Sequence, residues 1–341
     1  MKRAEATTVA GLGALQLVSV YTFDESDNRI QFEIPNVNPS LTQVFDYTFD
    51  DADNILTRTK STNSVTDFVE SYTHDEDGNV TSWSRSDTGE TISVQWDDFD
   101  RLIRISSSSS GRMQDNRYDV NGIRNRKLDK NGNSSLEYDV GISMSASRPG
   151  SGASAAPSIS YVSRHLLLGA EVDGTFQWFI HNALSSVTDV LNESGNVIKS
   201  YEFDEYGAPI SVSGSGQAAP KTFVGGLSVH DDTADSGLWL MGHRHFRSQT
   251  GAFLSRDPIG FAGSTNLYQY GNSNPTTLVD FTGLALESGW DAFNVVIGVG
   301  SLGVNIYTGN ISGALEDALG LTIVSDVSAP RFFLDSRKDF S

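Results

Sequence analysis

The 341-residue sequence contains no cysteine. That excludes a disulfide framework and thiol chemistry, and leaves the compartment open. It has no run of 18 or more apolar residues, so no membrane-spanning helix is expected. Positive charge is scarce: 24 Lys and Arg face 43 Asp and Glu, for a net charge of −19. Phosphate binding needs a basic stripe, so a nucleic-acid partner is not expected. The basic residues are scattered apart from Arg124-Asn125-Arg126-Lys127, which reads as a solvated strand face. There is no serine nucleophile elbow and no phosphate loop. Gly298-Val299-Gly300-Ser301-Leu302-Gly303 has dinucleotide-loop spacing but follows no credible strand.

What the chain does have is a recurring phrase: an aromatic, an aspartate, a short polar turn, then an apolar strand. Tyr21-Thr22-Phe23-Asp24, Tyr47-Thr48-Phe49-Asp50, Tyr72-Thr73-His74-Asp75 and Val94-Gln95-Trp96-Asp97 open it in turn, and Tyr118-Asp119, Tyr138-Asp139 and Tyr201-Glu202-Phe203-Asp204 continue it. The aspartates from Asp24 to Asp119 recur every 22 to 26 residues. Such a period marks a stacked array in which no unit buries its apolar face alone. Ile30, Phe32 and Ile34 alternate with Gln31 and Glu33, the period of a strand with one wet face. Asp-Gly and Asp-Asn pairs tolerate positive φ and bond their own backbone. Each unit therefore reads as a β-hairpin, and neighbouring hairpins pair edge to edge.

Two metal readings are weaker. Asp75, Asp77 and Asn79 resemble the start of a calcium loop, but the downstream bidentate Glu is missing at the required spacing. His243 and His245, with His230 or Asp232, would suit zinc only if a third ligand had a defined spacing. Turn chemistry and strand packing account for them, so the sequence points to no metal and no cofactor.

Four segments follow from the pattern. Residues 1–142 hold the hairpin repeats. Residues 143–158 (SMSASRPGSGASAAPS) read as a low-complexity linker or surface loop. Residues 159–284 return to strand pattern, with Phe176, Trp178 and Ile180 alternating. Residues 285–341 turn Gly-rich and helix-like, with Ser288 and Ser312 as candidate caps. Lys2 and Arg3 precede only a weak apolar stretch, which makes a poor signal peptide. The start instead reads as an incoming strand, as in a piece of a longer array.

Residues 181–284 carry ordered motifs. His181-Asn182-Ala183-Leu184-Ser185-Ser186-Val187 fits His-Asp-x-Leu-Gly-Ser-Val, with Asn182 and Ser185 departing. Gly237-Leu238-Trp239-Leu240 and Arg244-His245-Phe246 follow. Then come Thr250-Gly251-Ala252-Phe253-Leu254-Ser255-Arg256-Asp257-Pro258-Ile259-Gly260, Asn266-Leu267-Tyr268-Gln269-Tyr270 and Asn272-Ser273-Asn274-Pro275. Through these the chain resembles the RHS repeat-associated core, and its upstream phrases resemble the YD repeats of the same family. That family includes bacterial RHS polymorphic toxins, C components of insecticidal toxin complexes and teneurin shells.

The resemblance implies an all-β fold: a spiralling array of β-hairpins, a partial YD-repeat shell, with a core plug and a short helical C-terminal tail. It implies a structural or encapsulating role around the chain's own tail or a toxin cargo, in an extracellular or cell-surface protein of a bacterium. A cell-surface protein or glycan is the other implied partner. About four hairpin repeats look too few to close a shell alone. The resemblance further implies an aspartyl autoprotease cutting after Leu284, with Asp257 and Asp280 as the catalytic pair and Arg256 beside them. Two close carboxylates cannot both ionise, so one serves as acid and one as base. The second motif is Asp280-Phe281-Thr282-Gly283-Leu284, with phenylalanine where the family has proline. Both motifs also fit plain type I turns. A calcium- or carbohydrate-binding adhesion module is a third reading. The 57 residues from Ala285 onward show no catalytic constellation and read as a plug or pre-toxin remnant.

Overall fold

The computed structural model describes residues 2–9, 15–38, 41–140, 143–150, 158–163, 166–262 and 264–284. Nineteen strands, from Lys2–Val9 to Pro209–Ser213, form one antiparallel meander. Each strand pairs with the next in sequence. The sheet does not pause at residue 143: Ser143–Pro149 is a strand paired with Ser134–Val140. Small residues without an apolar period read as a linker, yet the backbone there completes a ladder. Residues 151–157 and the predicted helices of 285–341 lie outside the described residues.

Nine turns among the described residues share one geometry, beginning at Asp24, Asp50, Asp75, Asp97, Asp119, Asp129, Asn182, Asn192 and Asp204. The first residue's N–H donates to the fifth residue's carbonyl, and its own carbonyl accepts the fourth residue's N–H. Its Oδ1 also takes N–H groups from inside the turn, as Asp24 does from Ser26 at 3.0 Å and Asn28 at 2.8 Å. The fourth residue has positive φ throughout, at Asp27, Asp53, Gly78, Asp100, Gly122, Gly132, Ser185, Gly195 and Gly207. This is the hairpin turn with a following bulge, which suits the twist of paired strands. Asp75 is one of these turn residues: its carboxylate accepts Asn79 N and Nδ2. Tyr138-Asp139 is different, because Asp139 lies inside the strand Ser134–Val140 and the turn falls at Asp129. Turns also touch one another: Asn28 Nδ2 donates to Asp53 Oδ1 and Asn79 Nδ2 to Asp100 Oδ1, each at 2.7 Å.

The sheet curls until its ends meet. Laid flat, the second and eighteenth strands would stand roughly 75 Å apart. Instead the Tyr21 and Tyr206 rings pack with centroids 5.3 Å apart. Ser19 Oγ donates to Glu205 Oε2 at 3.3 Å, and the Tyr21 hydroxyl donates to the same carboxylate. The hairpins judged too few to close thus come full circle, because the strands from Ile159 to Ser213 extend the meander.

Residues beyond Ser213 fill the enclosed face. They form a small antiparallel sheet of His230–Asp231, Trp239–Met241, Arg244–Arg247 and Ala252–Phe253. Trp239, Phe246 and Tyr270, all nearly solvent-free, share one cluster with Tyr21, Phe32 and Phe45 of the sheet. Leu238 and Leu254 join Trp83 and Ile105 in a second. Burying each such side chain stabilises by about 1.5–3 kcal/mol. Charges key the docking. Arg247 donates to both Glu70 oxygens at 3.0 Å, and Arg58 adds a bond at 3.2 Å. Burial alone would raise the Glu70 carboxyl, but Arg247 and Arg58 hold it down at about 2. In the other direction, Asp232 of the plug enters a buried site of Arg124, Gln114 and Lys127. His230 and Asp232 are thereby committed to Arg124. His245 is fully buried and its imidazole pushed down to about 3 by burial. His243 lies outside the strand, at the turn before Arg244.

The row of turns is also a docking rail. Asn266 Nδ2 donates to Asn28 Oδ1 at 2.6 Å, and the Tyr268 hydroxyl donates to the Gly78 carbonyl at 2.8 Å. A Cβ on Gly78 would overlap the Tyr268 hydroxyl and the Arg256 guanidinium, at a φ of +85°. Gly89 has a φ of +67° and open space around it. Gly89→Ala should therefore cost about 1 kcal/mol from backbone strain alone, and Gly78→Ala about 3 kcal/mol from strain plus overlap. Chemical denaturation of both variants checks this; equal losses would mean the turn does not bear on the plug.

Candidate functional site

Two plug segments bring Asp257 and Asp280 to one guanidinium, that of Arg244. Arg244 Nη2 lies 2.8 Å from Asp257 Oδ2 and 3.1 Å from Asp280 Oδ2. All three are buried, at 2%, 7% and 4% exposure for Arg244, Asp257 and Asp280. Arg244 is fixed from below by the Phe253 ring, 3.7 Å from its carbon to the centroid. Its Nη1 donates to the Leu267 carbonyl at 3.0 Å, which also accepts Asp257 N at 2.9 Å.

Each aspartate divides its oxygens between local and long-range work. Asp257 Oδ1 accepts Ile259 N at 3.0 Å, and Gly260 N closes the turn onto the Asp257 carbonyl at 2.9 Å. The turn chemistry expected of Asp257-Pro258-Ile259-Gly260 is therefore present, and it leaves Oδ2 for Arg244. Asp280 Oδ1 accepts Thr282 Oγ1 at 3.2 Å. Phe281 stands where the motif has proline and packs against the main core cluster. The segment is thus held by packing of a half-buried ring instead of by a fixed φ. Gly283, at φ +64°, leaves no room for a Cβ against Met241 O, and its carbonyl accepts Arg244 Nε.

The charge balance sets the protonation. One cation faces two carboxylates in a site with little solvent, so retaining one proton avoids a net buried charge. Burial pushes the Asp280 carboxyl up to about 6, with Arg244 opposing and Asp257 reinforcing the rise. Burial also lowers Arg244 from its usual range. A cavity of about 10 Å³ touches Asp257 and Asp280 and is lined by Asn266 and Gln269. That is about the space of one water molecule.

The two predicted aspartates converge, and the Leu284 carbonyl lies 3.1 Å from Thr282 Oγ1. Arg256 sits elsewhere: its Nε donates to the Tyr268 hydroxyl at 3.2 Å, on the rail of turns. Sequence reasoning missed Arg244 and Thr282. A buried-strand arginine between Met241 and Phe246 was the available signal for the first; nothing local marked the second. Among the described residues no three His, Asp or Glu side chains group as metal ligands, and no helix is long and apolar enough to cross a membrane.

No family model matches the chain. It is 25% identical over 284 residues to the tRNA3(Ser)-specific nuclease WapA of Bacillus spizizenii, covering 80% of this chain and 11% of that protein. It is 36% identical over 69 residues to the toxin protein Tse5 of Pseudomonas aeruginosa, covering 20% of this chain and 5% of Tse5. The chain thus spans about a tenth or less of the length of these relatives. In fold it matches a chain in the crystal structure of TcdB2-TccC3-TEV with a TM-score of 0.54, at 16% identity, over 82–83% of this chain in that structure and in TcdB2-TccC3-Cdc42, where the score is 0.53. It covers 17% and 16% of the matched chains. With the motifs of the sequence, these likenesses relate the chain to the RHS/YD-repeat proteins, and its meander is a β-shell of the TccC3 kind.

Removing Arg244 strands two buried carboxylates. Arg244→Leu should cost about 3–5 kcal/mol at neutral pH. The loss should shrink as the pH falls below about 6, where protonation discharges Asp280. Arg256→Gln, at a part-exposed site, should cost under about 1 kcal/mol. Urea unfolding at two pH values checks both, and an Arg244→Leu loss that does not ease in acid would contradict the charge balance.

Proposed function

Taking the relationship to RHS/YD-repeat proteins as premise, we propose that this chain is a section of a toxin-related β-shell, sealed by its own core segment, in an extracellular or cell-surface protein of a bacterium. The observation that supports it is the closure of the meander around residues 214–284, with Tyr21 against Tyr206. The cargo is the chain downstream of Leu284 or a toxin segment joined to it. The absence of cysteine makes a clean test. Cysteines placed by Tyr21→Cys or Tyr206→Cys should resist maleimide labelling in native buffer and react in urea, because both positions are buried. Rapid labelling of the native protein would mean that the sheet is open.

A second reading, favoured by the paired carboxylates on Arg244, is a single self-cleavage after Leu284. In it the ionised carboxylate of the pair takes a proton from water, and the water oxygen bonds the Leu284 carbonyl carbon. The protonated carboxyl delivers its proton to the Ala285 nitrogen as the C–N bond breaks. The pair as a unit, and not either residue, sets the titration. An intramolecular substrate needs no binding step, so a modest catalyst completes one turnover.

The test is the intact mass of freshly synthesised protein over time, beside Asp280→Asn and Asp257→Asn. The wild type should split into two fragments at Leu284 while both variants stay whole. With Asp280 at about 6, the protonated acid is depleted as the pH rises, so the rate should fall about tenfold per unit above roughly pH 6–7. A wild-type chain that stays whole at pH 5 leaves the core segment a plug without protease activity.

A further inference from the structure

We propose that Thr282 is a catalytic residue of this self-cleavage, its hydroxyl being the donor that holds the Leu284 carbonyl oxygen as negative charge builds on it. The proposal rests on the cleavage reading above. Thr282 Oγ1 stands 3.1 Å from Leu284 O and 3.2 Å from Asp280 Oδ1, and it accepts Leu284 N at 3.2 Å. Among the described residues it is the side chain that bonds both a carboxylate of the pair and the Leu284 carbonyl.

A threonine hydroxyl carries a single proton. Before reaction two acceptors compete for it, the Asp280 oxygen and the Leu284 carbonyl. When water adds to the carbonyl carbon, the oxygen becomes an alkoxide and the stronger acceptor. The hydroxyl proton then points to it without leaving threonine. The carboxylate pair alone moves protons, one in from water and one out to the Ala285 nitrogen, so Thr282 ends the turnover unchanged.

The hydroxyl is aimed by a clamped backbone. The Thr282 carbonyl accepts His243 N at 3.0 Å, and the next carbonyl, Gly283 O, accepts Arg244 Nε. A Cβ on Gly242 would overlap the Thr282 carbonyl, so the two segments sit in closest approach. Such preorganised donors act without reorganisation at the moment of reaction. The departure at Phe281 falls beside this residue: the half-buried ring packs on the core cluster, and the Thr282 hydroxyl faces the Leu284 carbonyl.

The test compares Thr282→Val and Thr282→Ser with wild type in cell-free synthesis, following intact mass over time and checking each fold by its melting temperature. Valine keeps the shape and removes the donor. It should slow cleavage about 10²–10³-fold, the usual loss of one oxyanion donor. Serine should restore the rate to within about tenfold. Valine also removes the hydroxyl bond that lowers the Asp280 carboxyl, so its residual cleavage should persist to higher pH. A merely structural threonine would lower the melting temperature in the valine variant without slowing cleavage of the folded protein. A folded Thr282→Val that cleaves as fast as wild type would overturn the proposal while leaving the aspartate reading intact. A wild type that never cleaves, like Asp280→Asn, would overturn both.

Discussion

The contact between Tyr21 and Tyr206 is the closure on which the rest depends. A meander of nineteen strands has one face that demands cover, and a flat sheet of that width would need a second layer of equal size. Curling reduces the need to a single strip of chain. The strip is residues 214–284, and its aromatic residues touch strands from both ends of the sheet at once. The sheet curls because the strip is there to be buried, and the strip has a shape because the sheet surrounds it.

Burial alone would allow the strip to slide. Charge prevents that. Arg247 of the strip fits only where Glu70, Arg58 and Tyr72 meet, and Asp232 fits only at Arg124 and Lys127. Exchanging the two would bury like charges together. The two sites lie on different strands, so one orientation satisfies both. The same placement delivers Asp257 and Asp280 to Arg244, since Arg244 and Arg247 lie on one short strand. Architecture and candidate chemistry share a scaffold.

Much of the fold was legible because its causes are local. Asp or Asn at the first turn position, with Gly, Asp or Ser tolerated at positive φ three residues on, marks nine of the hairpin turns within five residues of sequence. Strand alternation at Ile30, Phe32 and Ile34 needs no partner to be seen. Asp257 and Asp280 were found through ordered family motifs, not through anything in their spacing. Their shared partner was not found, because Arg244 lies 36 residues from Asp280 and the reason it matters is a desolvated contact. Arg256 drew attention by adjacency, and adjacency on a turn points side chains apart. The stretch at Ser143–Pro149 failed for another reason: serine and alanine carry no period, so only its neighbour strands define it.

Among the described residues the seam at Tyr21 and Tyr206 is made by side chains, whereas successive strands of the meander are joined by backbone ladders. Mechanically the shell is a split ring, not a hoop. Its circumference is not quantised by hydrogen-bond register, so hairpins can be gained or lost in whole units while the seam simply finds new faces. The slit is the line along which such a ring can part while every backbone ladder stays intact.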